Sequence, residues 1–429
     1  MSSRRVCVIG LDGTPASLLR RLIDAGELPA LAALASEGVG EAVAPLPPVS
    51  SVSWASATTG QNPGRHGVYG FVERNPVSYY LTFTTSGSIR TPTAWELAGR
   101  AGLKSLVVNI PGTYPATPIE GVLITGFVSP NLQRSVWPKR VLPDLESIGY
   151  AVDVDLSLGH RDLGAFVDEL FRAHEARRQA FRLLLEREPW DLAYLAFTGT
   201  DRLHHFLWGQ MEDGEEPWAS HFMRYYREVD AGVADIVERL PAGTEVLLLS
   251  DHGFCRLEQE VYVNRLLERD GWLVLADGGE RLSDIEAART RAFALDPSRL
   301  YVNLKGREPQ GSVDAAELDR VTAELAEWAG GLPWVERVVP RAQAFDGTES
   351  ARAPDLVVVP HRGFDPKGSL RTKETQRRGV FTGMHTPDDA FFVHAGHRPP
   401  AEPVGVESVA ATALGLLGID VAGLDGERL

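Results

Sequence analysis

The chain has 429 residues, of which 44% are hydrophobic and 24% charged, and a formal net charge of −15. That length exceeds the usual size of a single core, so one large domain with insertions, or two domains, is expected. The negative charge argues against a nucleic-acid polymer or an anionic membrane surface as partner, since both select clustered positive charge. No run of about 18 apolar residues reads as a membrane-spanning helix.

The N-terminal sequence RRVCVIGLDG places two arginines before an apolar run. The run is too short for a signal-peptide core of about 7–15 residues, and Asp12 interrupts it. It reads as a first β-strand over 5–10, and the protein reads as cytoplasmic. Further strands are expected at 104–110, 192–197, 245–250 and 355–359. Helices are expected at 15–25, 29–37, 93–101, 163–187, 218–240, 315–330 and 406–417. This alternation is that of an α/β protein with a mostly parallel central sheet covered on both faces. Two stretches break the rhythm. Residues 111–160, rich in Pro, Gly and Thr, read as a loop-bearing insertion, and 255–348 as an inserted cap, which leaves 1–254 and 349–429 as the catalytic core. Cys7 and Cys255 give neither a disulfide framework nor a C-x-x-C metal knuckle.

The polar residues of interest fall just after expected strands: Asp12 after the first, Asp201 after 192–197, and Asp251-His252 after 245–250. In open α/β sheets ligands bind outside the carboxyl ends of the strands, so these distant segments can converge on one crevice. Asp12 in VIGLDG reads equally as a turn aspartate or helix cap. In SDHGF, Asp251 and His252 pair a hard carboxylate oxygen with an imidazole nitrogen, donors that suit Zn²⁺ or Mn²⁺. In TGTDRLHHF, Asp201 and His205 are four apart, one turn along a helix face. His204 points roughly 100° away and is not expected to share their ligand. His385 lies in the loop sequence GMHTPDD, with His394 and His397 as nearby competitors. Ser50, Ser51 and Ser53 sit between a Pro-rich turn and an expected helix over 52–59. A helix-start serine suits a phosphate-binding nucleophile, and suits an ordinary N-cap equally.

Taken together, these segments resemble the alkaline phosphatase superfamily, and within it the type I phosphodiesterase and nucleotide pyrophosphatase branch. The matching stretches are VIGLDG, PPVSSVSWASATTGQNPGRHGVYGF, VNIPGTYP, YLAFTGTDRLHHFLW, LLLSDHGF, RLYVNLKGREPQG, PDLVVVP, GMHTPDDAFF and DGERL, which extend over nearly the whole chain. The resemblance implies an alkaline-phosphatase-like core and two divalent metal ions, Zn²⁺ first and Mn²⁺ as the alternative. One ion would be held by Asp12, Asp251, His252 and the nucleophile oxygen, the other by Asp201, His205 and His385. Counting back nine positions from Thr59, as the family pattern requires, makes Ser50 the nucleophile. A sulfatase is not expected, because the C/S-x-P-x-R context is absent around Ser50.

One position departs from the pattern. Nucleotide pyrophosphatases carry an Asn shortly after the HG pair that helps hold a phosphate oxygen, and Phe71 stands there in this chain. Asn109, Asn303 and Arg307 are the candidates to replace it. The implied reaction is cleavage of a phosphodiester or pyrophosphate bond, in a nucleotide-like or small organic phosphate, through a phosphoserine. A phosphomonoesterase or phosphomutase on the same scaffold is the first alternative, and a catalytically inactive metal-binding protein is the alternative of another class.

Overall fold

The computed structural model describes residues 4–75 and 77–429. The chain forms two compact units. Unit 1 comprises Met1–Asn62, Thr85–Cys255 and Val380–Leu429, and unit 2 comprises Pro63–Thr84 and Arg256–Gly379.

In chain order, the elements of unit 1 that matter for the site are β1 (Arg5–Leu11), α1 (Ala16–Asp24), β2 (Gly40–Val43), α2 (Ser50–Thr59), α3 (Ala94–Arg100), β3 (Ser105–Ile110), β4 (Gly121–Thr125) and β5 (Val136–Trp137). They continue with α4 (Leu163–Arg187), β6 (Leu192–Phe197), α5 (Gly199–Asp213), α6 (Trp218–Val237), β7 (Thr244–Leu249), β8 (Gly383–Thr386), β9 (Ala390–His394), β10 (Val404–Gly405) and α7 (Ser408–Leu416). Nine of the strands form one sheet in the order β10-β2-β9-β7-β1-β6-β3-β4-β5. The central run β7-β1-β6-β3-β4 is parallel throughout, and β9 joins it antiparallel to β7. The expected α/β architecture, with a mostly parallel sheet, is therefore present.

Alternation along the strands explains why both faces are covered. Cys7, Ile9 and Leu11 enter one apolar cluster with residues of α1, α4 and α6. Val6 and Val8 enter a second cluster with residues of α2, α3 and α7. The same parity holds in β7, where Val246 and Leu248 face the first layer and Leu247 and Leu249 the second. Side chains of successive strand residues point to opposite faces, so a strand buried on both sides must be apolar almost continuously. Local signals set the helix ends. The Asp162 side chain accepts from Ala165 N at the start of α4. Gly60, at φ +68°, closes α2 in the left-handed conformation that glycine adopts without a Cβ penalty.

Unit 2 has its own core. Four strands run in the order Ala292–Leu295, Arg299–Val302, Leu356–Pro360, Val335–Pro340, with antiparallel neighbours. The helix Leu318–Gly330 contributes Val321, Leu325 and Ala329 to the cluster that holds Phe293, Tyr301 and Trp334. The expected strand at 355–359 thus exists, but it is a strand of this antiparallel sheet and not of the parallel one. Unit 2 also reaches beyond the expected 255–348, to Gly379, and takes in Pro63–Thr84. Arg299 supplies the physical reason. Its fully buried guanidinium reaches the Glu73 carboxylate at 3.1 Å and the Val72 carbonyl at 2.9 Å, which binds the early hairpin to the later sheet. Among the described residues no helix is long and apolar enough to cross a membrane.

One close approach holds α2 on the sheet. A Cβ on Gly10 would lie 2.2 Å from Trp54 Cη2, and Trp54 is fully buried. The indole therefore occupies the space that any larger residue at position 10 would need. Gly10→Ala is expected to destabilise the protein by about 1–3 kcal/mol, the usual cost of overpacking a dense interior. A urea-unfolding midpoint equal to that of wild type would show that the helix shifts freely over the sheet.

Candidate active site

The site stands where sheet order brings three strand ends together. β1 lies between β6 and β7, so Asp12, which follows β1, is flanked by the segments that follow both neighbours. Asp12 N donates to the Phe197 carbonyl at 3.1 Å, and the Thr200 hydroxyl donates to the Asp12 carbonyl at 2.6 Å. On the other side, Gly13 N donates to Asp251 Oδ1 at 3.0 Å. Gly13 takes φ +64°, and a Cβ there would meet His252 at 3.1 Å and Phe254 at 3.2 Å, so the turn requires glycine.

Asp201 and His205 lie one turn apart on α5, as their spacing predicts. His385, on β8, completes this side. Its Nε2 is 3.0 Å from Asp201 Oδ1 and 3.0 Å from His205 Nε2, and His205 Nε2 is 3.5 Å from the same Asp201 oxygen. Beside this group the ring of His252 stacks on that of His385 with centroids 3.9 Å apart. His252 Nε2 lies 3.8 Å from Asp12 Oδ1 and 3.4 Å from Asp251 Oδ2.

Ser50 is the first residue of α2, and the N-cap position falls on Val49, with no side-chain cap. Its hydroxyl is therefore not spent on capping. It lies 3.3 Å from Asp12 Oδ1, to which it donates, and 3.2 Å from His252 Nε2. One turn along the helix, Trp54 Nε1 donates to Asp12 Oδ2 at 2.8 Å. All seven expected residues, Asp12, Ser50, Asp201, His205, Asp251, His252 and His385, thus converge within unit 1.

The three imidazoles share one arrangement. Nδ1 faces a backbone carbonyl in each: Gly383 O at 3.2 Å for His205, Gly253 O at 3.0 Å for His252 and Pro48 O at 3.1 Å for His385. A carbonyl only accepts, so Nδ1 carries the proton and the Nε2 lone pair points into the site. This is the orientation a metal ligand needs. His204 differs. Its Nδ1 donates to Gly13 O and its Nε2 meets the Tyr226 hydroxyl at 2.8 Å, so both nitrogens serve packing, as the helical phase predicts.

The electrostatics call for positive charge. Asp12 and Asp251 are fully buried. Burial, reinforced by neighbouring carboxylates, holds the Asp12 carboxyl well above its ordinary range. Burial likewise pushes Asp251 up to about 7. Asp201 goes the other way. Burial would raise it, but His205, His385 and Arg202 together outweigh that and bring it well below. Burial, with His385 next in importance, keeps His252 neutral well below the usual imidazole range. Asp251 Oδ2 is buried and has no hydrogen-bond partner. A buried carboxylate oxygen without a donor is costly unless a cation meets it. Two groups of donors, Asp12–Asp251–His252 and Asp201–His252–His385, each hold their ligand atoms within 4.8 Å of one another. The residues present fit a pair of divalent ions.

Arg202 and Asp153 were not anticipated. Arg202 Nη1 donates to Asp201 Oδ2 at 3.0 Å, leaving Oδ1 to face the histidines. Two further donors of Arg202 reach Asp153 at 3.0 and 2.7 Å. The position of Arg202, next to Asp201, was the only sequence signal, and Asp153 lies within the stretch read as an insertion. The three proposed substitutes for the missing asparagine are all committed elsewhere. Asn109 takes φ +65° at the end of β3 and donates to the Ala196 carbonyl and the Thr198 hydroxyl. Within unit 2, Asn303 donates to the carbonyls of Ala287 and Thr290 and accepts from the Tyr79 hydroxyl. Arg307 is paired with Asp355 and Glu308 and also donates to the Val302 carbonyl. The hydrogen bonds of Asn303 and Arg307 thus lie within unit 2.

A model of the family "Type I phosphodiesterase / nucleotide pyrophosphatase" matches residues 6–388. The chain belongs to that family. It is a phosphoric ester hydrolase of the alkaline phosphatase superfamily. A search among curated proteins found no match. Among solved structures, the chain is similar to phosphonoacetate hydrolase from Sinorhizobium meliloti 1021 in complex with phosphonoformate. The identity is 18% and the TM-score 0.62, over 97% of this chain and 96% of that one. It is similar also to an inactive form of murine ectonucleotide pyrophosphatase/phosphodiesterase 5 in complex with AMP. There the identity is 13% and the TM-score 0.61, over 99% of this chain and 97% of that one. At these identities the likeness concerns the fold.

The raised Asp251 carboxyl has a consequence for metal binding. A pKa of about 7 means that the metal-free protein holds this proton below neutrality, and an incoming cation must expel it. Asp12 is raised as well, so apparent affinity is expected to rise with pH across neutrality as both carboxyls give up their protons. Competition with a chelator between pH 5.5 and 8 measures this. A flat profile would mean that the carboxyls are already ionised.

Proposed function

We propose that the protein cleaves a phosphodiester or pyrophosphate bond in a nucleotide-like or small organic phosphate, with Ser50 as nucleophile and a phosphoserine as intermediate. The observation that carries this reading is the position of the Ser50 hydroxyl. It lies buried at the start of α2, 3.3 Å from Asp12 Oδ1 and 3.2 Å from His252 Nε2, beside a carboxylate oxygen that lacks a donor. Asp12, Asp251 and His252 would hold one divalent ion, and Asp201, His205 and His385 the other. Zn²⁺ is the first choice for three imidazoles, and Mn²⁺ the alternative for three carboxylates. Such ions, when bound, lower the pKa of an attached hydroxyl or water and neutralise charge on phosphoryl oxygens.

The chain's own residues supply the rest. Asp12 accepts the hydrogen bond of the Ser50 hydroxyl, which fixes the direction of the Oγ lone pairs. Trp54 holds the other Asp12 oxygen, so the carboxylate cannot rotate away. The first-turn amides of α2 and its positive dipole end favour a phosphoryl group on Ser50. Attack of Oγ on phosphorus forms the serine–phosphorus bond and releases the alcohol or phosphate. Water then cleaves that bond and regenerates the hydroxyl. Arg202 orients Asp201 through its hydrogen bond and adds to the effect of His205 and His385, which keep that carboxyl ionised. A cytoplasmic location is part of the same proposal, supported by the buried thiols of Cys7 and Cys255, which are not joined in a disulfide.

Ser50→Ala is expected to remove turnover on bis-p-nitrophenyl phosphate, by 10³-fold or roughly more, while the far-UV circular dichroism stays that of wild type. Wild-type activity in the variant would dismiss Ser50 as nucleophile. Faster hydrolysis of p-nitrophenyl phosphate than of the diester by the wild-type enzyme would instead favour the monoesterase reading.

A further inference from the structure

A second set of metal-type donors lies at the other end of the same strand. Glu245 is the second residue of β7, whereas Asp251 follows its last residue. Six residue steps of extended chain separate them, a span of about 20 Å. His394 ends β9, which pairs antiparallel to β7 with His394 opposite Leu247. Leu247 and Glu245 are two apart and so share a face, which brings the Glu245 carboxylate diagonally beneath His394. His394 Nε2 lies 3.1 Å from Glu245 Oε2. The chain then turns, with Ala395 N donating to Val246 O and His397 N donating to His394 O. This turn folds His397 back over His394, and the two rings stack with centroids 3.8 Å apart. One ligand atom from each of Glu245, His394 and His397 lies within 4.8 Å of the others.

The chemistry of this cluster is specific. Two imidazoles and one carboxylate form a donor set that suits a borderline-soft divalent ion such as Zn²⁺. Ligand atoms on a tetrahedral zinc sit roughly 3.3 Å apart, given bonds of about 2.0–2.1 Å. The nitrogen–oxygen separation of 3.1 Å is already close to that. His397 Nδ1 meets the Ala395 carbonyl at 3.2 Å, so its proton resides there and Nε2 is left as a ligand. This repeats the arrangement of the three histidines in the active site. The setting differs: the His394 side chain is 8% exposed and that of Glu245 34%, and His397 stands in solvent, which leaves room for water as the fourth ligand.

We propose that Glu245, His394 and His397 form a separate surface site for a divalent transition metal, Zn²⁺ in first place. The ion clamps the turn after β9 to the first residues of β7. It takes no part in hydrolysis, being the length of a strand away from Ser50. The assignment does not rest on the proposed hydrolytic function. Equilibrium dialysis of the full chain against buffered Zn²⁺, with the metal counted by mass spectrometry, tests it. Wild type is expected to retain one more Zn²⁺ per chain than His397→Ala, in which only an exposed turn residue changes, and than Glu245→Gln, which keeps the shape. Circular dichroism and hydrolytic rate are expected to be those of wild type in both variants. Equal zinc retention by wild type and both variants would overturn the proposal. Loss of hydrolysis together with the ion would overturn its separateness. Were no chain, wild type included, to hydrolyse any phosphoester, the zinc difference would still be readable and would stand or fall alone.

Discussion

Everything at the active site follows from three carboxylates held side by side out of water. Asp12, Asp201 and Asp251 are at most 1% exposed. Two like charges about 4 Å apart repel by roughly 4 kcal/mol at an effective dielectric constant of about 20, and burial adds desolvation. The protein offsets this only in part. Arg202 compensates Asp201, Trp54 and Ser50 donate to Asp12, and Gly13 N donates to Asp251. Arg202 is itself neutralised by Asp153, so its charge is shared. The remaining deficit of positive charge is what makes the pocket a cation site. Burial first, and neighbouring carboxylates after it, hold the Asp12 and Asp251 carboxyls above the ordinary range.

The sheet makes this concentration of charge tolerable by making it rigid. Because β1 is central, Asp12 is tied to the segment after β6 through Phe197 and Thr200, and Gly13 to the segment after β7 through Asp251. The indole of Trp54 rests over Gly10 and donates to Asp12, so the helix bearing Ser50 and the strand bearing Asp12 are registered by one side chain. A ligand set built from strand ends, a helix turn and carbonyl-bound histidines cannot relax to relieve its repulsion. Preorganisation of this kind is what a hydrolase needs, since donors fixed in advance cost no rearrangement during reaction.

Much of this was legible in the sequence because the relevant periodicities are local. The strands β1, β3, β6 and β7 are built on apolar runs, and each of the predicted polar residues after β1, β6 and β7 reaches the site. The spacing of Asp201 and His205 is a property of the helix alone. What escaped depends on contacts distant in sequence. Nothing near Glu73 announces that Arg299, 226 residues later, will bind it and carry 63–84 into unit 2. The apolar run 355–359 looks the same whether its neighbours are parallel or antiparallel. Arg307 and Asn303 read as candidates to hold a phosphate oxygen, and only the fold shows that Asp355, Glu308, Tyr79 and three backbone carbonyls engage them. Asn109 stands out in the sequence by its place near a strand end, and the fold adds a positive φ and side-chain bonds to Ala196 and Thr198 that no local pattern announces.

The two ends of β7 show how burial, more than donor identity, decides what a metal-type cluster does. Histidine and carboxylate ligands occur at both ends. At the carboxyl end they are dry, a carboxylate oxygen lacks any donor, and leaving the site empty is expensive. At the amino end Glu245 and His397 are open to water, which satisfies them when no ion is present. An ion at the first site therefore relieves a strain that the fold has built in, and its charge acts undiluted on whatever enters. An ion at the second gains only the difference between protein donors and water, so it can exchange with solvent and hold a turn without altering the chemistry. The same strand carries both because a parallel sheet presents two unlike ends: one where strands stop and side chains converge, and one where the chain merely enters.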